Sequence, residues 1–369
     1  MKVGFVGWRG MVGSVLMDRM SRLGDLDGIH PSFFSTSQAG LEVSISGLKD
    51  KLILEDATEI SRLSDQDIIV TCQGSEYTRK TYDKLREMGW NGYWIDAASE
   101  LRMKSGVIIA LDPVNGKAIE EGLSKGIKTF VGGNCTVSLM LLAMQGLLQE
   151  GKVEWISSMT YQAASGAGAN CMQELASQMG VIGESWRNDL SAIETEEIIR
   201  KKMLDKNFPT SANGSVLAGG LIPWIDADLG NGQSREEWKG QAEAAKILND
   251  EQIKVDGICV RIGTFRCHAQ ALVFKLNSRL SVEEVENMLR SGNEWVKIIK
   301  NIKGDSVKEL SPVEVSGGLS IPVGRLRKLS FDENIYTGFT LGDQLLWGAA
   351  EPLRRVLKII LGKAGSLAK

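Results

Sequence analysis

The sequence predicts an α/β protein in two parts: a parallel sheet with helices on both faces, then an α+β unit. Three observations carry this expectation. The chain has 369 residues, beyond the size at which a single hydrophobic core stops growing. Short apolar runs alternate with amphipathic stretches over the first third, the pattern of successive strand–helix units. After residue 135 the strict alternation stops and the runs lengthen.

In chain order, Lys2 to Val6 (K-V-G-F-V) reads as a strand, Met11 to Met20 as a helix and Ser32 to Ser35 as a second strand. Asp67 to Thr71 (D-I-I-V-T) is a strand and Thr78 to Met88 a helix. Tyr93 to Ile95, Val107 to Leu111 and Ile127 to Val131 complete the strands of the first part. Val137 to Gln149 is apolar on all sides and reads as a buried helix. Val153 to Tyr161 is a long strand. Met172, Leu175 and Met179 lie at helical spacing within Ala169 to Met179, and Ser191 to Asp205 is a charged helix. Residues Asn207 to Pro223, rich in Gly, Ser, Asn and Pro, form a long connection. Arg235 to Leu248 is helical, and long strands lie between Val255 and Lys275. The last helix, Trp347 to Leu361, returns to the first part, with Pro352 kinking it or marking its first turn.

Composition narrows the function classes. Hydrophobic content of 43%, charged content of 24% and a net charge of −3 suit a globular protein and give no reason to expect nucleic acid as a partner. No window reaches the ~18 apolar residues of a membrane span, and the apolar run at the N-terminus is too short for a signal peptide, so the expected compartment is the cytoplasm. The five cysteines are odd in number and widely spaced, which suggests neither a disulfide frame nor a metal cluster. Only His30 and His268 can supply imidazole chemistry. His30, beside Pro31 in a loop, reads as a surface residue.

Gly7, Gly10 and Gly13 follow the first strand and lead into a helix as G-x-x-G-x-x-G, a departure from the usual G-x-G-x-x-G. The mechanics still serve a Rossmann-like dinucleotide site. Gly7 makes the tight turn, Gly10 lets backbone approach a pyrophosphate, and Gly13 lets helix and strand pack closely. Free N–H groups at the helix start hold phosphate. An NAD site usually carries Asp or Glu about 20 residues beyond the glycines. Here Phe34 to Gly40 is F-S-T-S-Q-A-G, without a carboxylate. Ser35, Thr36 and Ser37 can donate to a 2′-phosphate and Arg9 adds charge, so NADP is favoured.

The run T-F-V-G-G-N-C-T-V-S puts Cys135 at a strand-to-helix junction, where unsatisfied N–H groups would stabilise a thiolate and Gly132 and Gly133 would keep bulk away. That arrangement suits a nucleophile; a buried, inert thiol is the alternative. Arg261 and His268 are seven residues apart, so one straight strand would put them on opposite faces; a bend at Gly263-Thr264 could bring both to one side. His268 could then be the general base for Cys135 or for a reacting hydroxyl. Glu243 and Lys246 stand at i, i+3 on one helix face, by spacing alone a surface ion pair. Arg102 follows a strand end in D-A-A-S-E-L-R, where it could grip phosphate or pair with a carboxylate.

Taken together, these motifs resemble the aspartate-semialdehyde dehydrogenases of Gram-negative bacteria along essentially the whole chain. The resemblance rests on F-V-G-W-R-G-M-V-G-S from Phe5, D-A-A-S-E-L-R-M from Asp96 and F-V-G-G-N-C-T-V-S from Phe130. It continues in Y-Q-A-A-S-G-A-G from Tyr161, S-R-E-E-W-K-G-Q-A-E from Ser234, R-I-G-T-F-R-C-H from Arg261 and G-D-Q-L-L-W-G-A-A from Gly342. It implies an NADP-binding domain over 1–133, with a C-terminal helix of about 348–369 packing back on it, and a catalytic and dimerisation domain over 134–347. The implied reaction interconverts L-aspartate 4-semialdehyde, phosphate and NADP⁺ with L-4-aspartyl phosphate and NADPH. It would serve lysine, methionine, threonine and diaminopimelate synthesis, in a homodimer.

By the same resemblance Cys135 is the nucleophile, His268 the acid/base, and Gln162 orients the intermediate. Arg261 would hold the substrate α-carboxylate, Glu243 would face its ammonium, and Arg102 and Lys246 would bind phosphate with Asn134 nearby. The expected cofactor contacts are Gly7, Arg9, Gly10, Met11, Val12, Gly13, Ser35, Thr36, Ser37, Cys72, Gln73, Ser165, Gly166, Gly168 and Gln344. No metal is expected. The same thiol chemistry would also serve a dehydrogenase of another acyl phosphate. A catalytically silent NADP-binding paralogue is the alternative from outside the enzymes.

Overall fold

The computed structural model describes residues 1–367. Its first part runs β1 (Lys2–Val6), α1 (Met11–Arg22), β2 (His30–Ser35), an antiparallel pair of β3 (Glu42–Val43) and β4 (Leu52–Ile53), and β5 (Glu55–Asp56). It continues with α2 (Ile60–Ser64), β6 (Ile68–Thr71), α3 (Ser75–Glu87), β7 (Tyr93–Asp96), β8 (Ile108–Ala110), α4 (Asp112–Ser124) and β9 (Thr129–Gly132). Seven of these strands form a parallel sheet in the order β5-β2-β1-β6-β7-β9-β8. β6 and β9 are buried at every position, as strands covered on both faces must be, which is why their sequences show no polar alternation. The strand order departs in opposite directions from β1, through β2 and through β6. The crevice at their C-terminal ends is therefore the topological switch point where ligands of such sheets bind.

The second part comprises α5 (Cys135–Gln149), β10 (Val153–Gln162), α6 (Ala169–Glu184), α7 (Ala192–Met203), β11 (Leu221–Ile222), α8 (Arg235–Leu248), β12 (Val255–Asp256), β13 (Cys259–Ile262) and β14 (His268–Leu276). Then come α9 (Val282–Gly292), β15 (Val296–Ile298), α10 (Lys303–Glu309), α11 (Pro312–Val315), β16 (Ile321–Lys328) and β17 (Ile335–Gly342). The mixed sheet runs β11-β13-β10-β14-β17-β16-β15, with β12 also paired to β10. Helix α5 is buried from Thr136 through Leu147 and packs on β10, β14, β16 and β17, which explains its all-round apolar character. The sequence reading assigned no element to residues 276–346, where three helices and three strands form. The Gly, Pro and charged residues scattered through them hide the periodicity.

After β17 a π-helical turn (Leu346–Ala350) leads into α12 (Glu351–Leu367). The regular helix thus starts at Glu351 rather than Trp347, with Pro352 in its first turn, where a missing N–H costs nothing. Leu353, Val356, Leu357 and Ile360 join Val3, Phe5, Ile95 and Phe130 in one core, so α12 packs on the first sheet. Arg354 bonds Asp25 (2.5 Å) and Glu351 (2.7 Å), and Arg355 bonds Asp112 (2.6 Å). A buried charge left without its partner is costly, so these pairs fix the helix in one register. Of the expected packing segment, residues 368 and 369 lie outside the described residues.

Candidate active site

A cavity of about 450 Å³ opens where the C-terminal ends of β1, β7 and β9 face the second part. Met11 and Val12 at the start of α1, Arg102 after β7, and Asn134 and Cys135 at the start of α5 form one wall. Gln162, Ser165, Gly166, Gly168, Arg261, Glu236, Lys239 and Gln344 contribute from the other side.

Cys135 is the first residue of α5, and its Sγ lies 3.2 Å from His268 Nε2. The pairing comes from strand order. β13 and β14 flank β10 on opposite sides, so Arg261 pairs with Gln162 while Ala269 pairs with Tyr161. The intervening loop carries the chain across the end of β10, and Cys267, with φ +73°, turns the backbone into β14. Arg261 thereby lines the cavity, while His268, fully buried, meets it only through Cys135, despite their odd spacing. Arg261 also donates to the Ala163 carbonyl (2.8 Å).

The helix start differs from the sequence expectation. Asn134 is the N-cap, and its Oδ1 accepts from Thr136 N (3.0 Å) and Val137 N (3.2 Å). Those two N–H groups are therefore committed to the cap and are not available to a thiolate. Burial pushes the Cys135 thiol up to about 12 and Glu236 adds to this, against the opposing pull of Arg261, Arg102 and Lys239. Gly133 also has a different task. A Cβ there would sit 2.8 Å from Ser138 Oγ, so glycine is needed for packing within the turn. The residue that leaves room beside the thiol is Gly348, where a Cβ would lie 2.6 Å from Cys135 Cβ.

Two more expected residues are not on the cavity wall. Glu243 is 2% exposed, paired with Arg102 Nη1 (3.0 Å) and accepting from Asn134 N (2.6 Å). Lys246 donates to the carbonyls of Arg102 and Lys104. The pair that lines the cavity is Glu236 and Lys239, bonded to each other at 2.9 Å. Glu236 also accepts from Asn134 Nδ2 (2.9 Å) and Gln162 Nε2 (3.2 Å). The error has a simple origin. Both pairs have i, i+3 spacing, and seven residues bring a helix back to nearly the same face, roughly 10 Å further along. Sequence fixed the face of α8 but not the turn. The Ser234–Glu237 capping box, which marks Glu236 as first-turn, was the available signal. Burial works to raise the Glu236 carboxyl, but Lys239 and the bonds from Asn134 and Gln162 outweigh it and leave it below the ordinary carboxylate value.

At the other end of the crevice, Gly7 has φ +70° and abuts Cys72 and Gln73 so closely that a Cβ would lie 2.6 Å from their backbone. A Cβ on Gly13 would lie 2.2 Å from the Gly7 carbonyl oxygen. Gly10 caps α1 without any side-chain bond, leaving the first-turn N–H groups open. Arg9 donates to Ser35 Oγ (3.0 Å) and to Gln38, while Thr36 and Ser37 stand exposed beside them. Ser165 Oγ and Gln344 Nε2, both lining the cavity, are buried without a hydrogen-bond partner. Burial pushes the Cys72 and Cys267 thiols up to about 12, with no activating cation dominating either. Among the described residues no group of three or more His, Cys, Asp or Glu could hold a metal, and no helix is long and apolar enough to cross a membrane.

Comparison with known proteins agrees with this architecture. The family described as semialdehyde dehydrogenase, NAD binding domain, matches residues 2–122, and that described as semialdehyde dehydrogenase, dimerisation domain, matches residues 144–347. Aspartate semialdehyde dehydrogenase from Francisella tularensis is 49% identical with a TM-score of 0.95, over 98% of this chain and 99% of that one. The fold is shared at lower identity by aspartate semialdehyde dehydrogenase II from Vibrio cholerae complexed with ASA (22%, TM-score 0.78, 98% of each chain). It is shared also by the Candida albicans enzyme with NADP (15%, TM-score 0.64, 98% and 99%). With one relative at this identity along nearly its whole length and both family domains in sequence order, the chain belongs to the aspartate-semialdehyde dehydrogenase family.

Proposed function

We propose that this chain is an NADP-dependent aspartate-semialdehyde dehydrogenase. It interconverts L-aspartate 4-semialdehyde and phosphate with L-4-aspartyl phosphate through a thioester on Cys135, and acts in the cytoplasm in lysine, methionine, threonine and diaminopimelate synthesis. The observation that carries this reading is the contact of Cys135 with His268 at 3.2 Å, where Cys135 lines a cavity shared with Arg261, Arg102, Lys239 and Glu236.

The residues fit the cofactor. The uncapped first turn of α1 suits the pyrophosphate, and Arg9 with Ser35, Thr36 and Ser37 suits a 2′-phosphate. The unpartnered Ser165 Oγ and Gln344 Nε2 supply polar contacts for a group bound between the two parts. When bound, NADP supplies hydride transfer to or from the reacting carbon.

The chain's own residues do the rest. Cys135 sulfur attacks the aldehyde carbon, and His268 stands at the reacting atoms. Arg261 holds the substrate carboxylate, and Glu236, in place of Glu243, faces the ammonium; this anion–cation pair suits an α-amino acid. Lys239, in place of Lys246, joins Arg102 in binding the phosphate that cleaves the thioester. Asn134 and Gln162 hold Glu236 in place. A thioester preserves acyl activation that direct oxidation of the hydrated aldehyde would lose.

We assign residues 1–133 and the C-terminal helix to NADP binding, and 134–347 to catalysis and dimerisation. One face of the mixed sheet is covered by α5 and α9. The other exposes Met159 and Tyr161 of β10, beside half-buried Trp155, Val273 and Phe339. A second copy docking on this face accounts for it, in keeping with the family description of this part as a dimerisation domain.

The test is NADP⁺ reduction with L-aspartate 4-semialdehyde, with and without inorganic phosphate, repeated with NAD⁺. Fast phosphate-dependent turnover with NADP⁺ is expected. Absent turnover in protein that still binds NADPH would redirect the reading to another acyl phosphate or to a silent paralogue.

A further inference from the structure

The two cations assigned to phosphate come from separate segments, Arg102 after β7 and Lys239 on α8. For phosphate to attack an acyl group on Cys135, both must stand at a fixed spacing from each other and from the sulfur. A guanidinium on its long side chain is loose unless something ties it. That of Arg102 is tied at three points. Nε donates to the Gly132 carbonyl (2.8 Å), Nη1 to Glu243 Oε1 (3.0 Å) and Nη2 to the Ala97 carbonyl (3.4 Å). A guanidinium has five N–H groups. With no other partner among the described residues, one on each terminal nitrogen is left for the cavity that Arg102 lines.

Glu243 lies off the cavity wall and is 2% exposed. A buried carboxylate is costly unless its partners satisfy it, and here both oxygens are engaged. Oε1 accepts from Arg102, and Oε2 accepts from the backbone N–H of Asn134 (2.6 Å), the residue directly before Cys135. One carboxylate therefore joins the guanidinium to the backbone that carries the thiol. Glu243 also stands four residues beyond Lys239 on α8, about one turn and ~6 Å along the axis. The helix thus spaces Lys239 from the group that holds Arg102.

We propose that Glu243 is a positioning residue for phosphate: through Arg102 it sets where phosphate stands relative to Lys239 and to the acyl group on Cys135, without touching substrate itself. The proposal rests on the reading of Cys135 as nucleophile and Arg102 as phosphate ligand. In the step it serves, an oxygen of hydrogen phosphate bonds to the thioester carbon. The C–S bond breaks, its electron pair returns to sulfur, and the proton of hydrogen phosphate restores the thiol beside His268. Formation of the thioester comes before phosphate and does not call on Glu243.

Glu243→Asp keeps the charge but is one methylene shorter, so it cannot bridge Arg102 and Asn134 together. Two rates are read by NADPH absorbance. The burst on mixing enzyme, NADP⁺ and L-aspartate 4-semialdehyde without phosphate reports thioester formation; steady-state kcat/KM for phosphate reports its cleavage. The burst is expected within about threefold of native, and kcat/KM for phosphate at least about tenfold lower. Equal losses in both rates, or an unchanged kcat/KM for phosphate, would overturn the proposal. Should the shorter side chain unfold the protein, Glu243→Gln gives the same reading. Both partners of Glu243 are donors, so the glutamine NH₂ must face one of them and the bridge breaks at unchanged length. A double-mutant cycle adds a readout that a merely structural residue would not pass. On an Arg102→Leu background, either Glu243 variant is expected to change kcat/KM for phosphate by less than about twofold. A further tenfold loss there would overturn action through Arg102. A native protein that gives no NADPH burst would instead overturn the thiol reading, before any variant is compared.

Discussion

Two strand-to-helix turns in this molecule start from the same local design and end with opposite chemistry. After β1, Gly7–Gly13 leads into α1 with Gly10 as an N-cap that makes no side-chain bond. After β9, Gly132-Gly133-Asn134 leads into α5 with Asn134 filling two of the first-turn donors. The first turn keeps its backbone N–H groups free, and so presents the peptide chain itself to an anion. The second satisfies two of its donors internally and presents a side chain, Cys135. What a helix start offers is therefore set less by its dipole than by whether the cap residue already uses the donors.

The largest test of this contrast is Cys135→Ala, which is expected to lower kcat by three orders of magnitude or more while NADPH binding stays intact; binding followed by fluorescence and turnover by absorbance separate the two turns' roles. Turnover within a few-fold of normal would remove Cys135 from the reaction.

Closing the open turn comes next. In Gly10→Asp the backbone φ of −68° accepts a side chain, and Asp can cap α1 as Asn134 caps α5. The expected result is a KM for NADP⁺ raised tenfold or more, through repulsion of phosphate and loss of free donors. An unchanged KM would mean that the α1 start does not hold the cofactor.

The cavity on the α5 side is sharpened by comparing two lysines of α8. Lys239→Met is expected to raise the KM for phosphate about tenfold, the order of one charge-assisted bond, while Lys246→Met leaves it within about twofold. The reverse ranking would restore the assignment made from spacing. Asn134→Ala removes the α5 cap, and the melting curve should record a loss of about 1 kcal/mol, at the upper end of the cap range if Glu236 loses a partner too.

The smallest effect concerns acid. Glu236 has a folded-state pKa below its ordinary value, so it contributes stability that is complete above the unfolded pKa and is lost as pH falls through the folded one. Glu236→Gln should therefore flatten the acid limb of stability below about pH 4.5, the unfolded value, and leave the alkaline limb alone. Parallel acid limbs in both proteins would show that Glu236 is not selectively charged in the fold.

Much of this was legible in the chain. The alternation up to Val131 specified a parallel sheet because β6 and β9 need apolar residues on both faces. The glycines around Gly7 and the Gly-Gly-Asn-Cys junction announced their turns through chemistry that acts over a few residues. The region 276–346 was silent because β15 and β16 close one edge of the mixed sheet and β16 carries Gly, Arg and Lys among its apolar positions.

Sequence by itself determined which side chains occur, which turns they can make and which face of each helix is polar, since those depend on contacts a few residues apart. Only the tertiary structure decided which turn of α8 meets the cavity, since Glu236 and Glu243 share a face and differ only in distance along the axis. It also decided that burial raises the Cys135 thiol, and that the Ala163 peptide, 105 residues away in sequence, selects the nitrogen His268 turns toward it. Desolvation and hydrogen bonding between distant segments act only once the strands have taken their order, and no local pattern encodes that order.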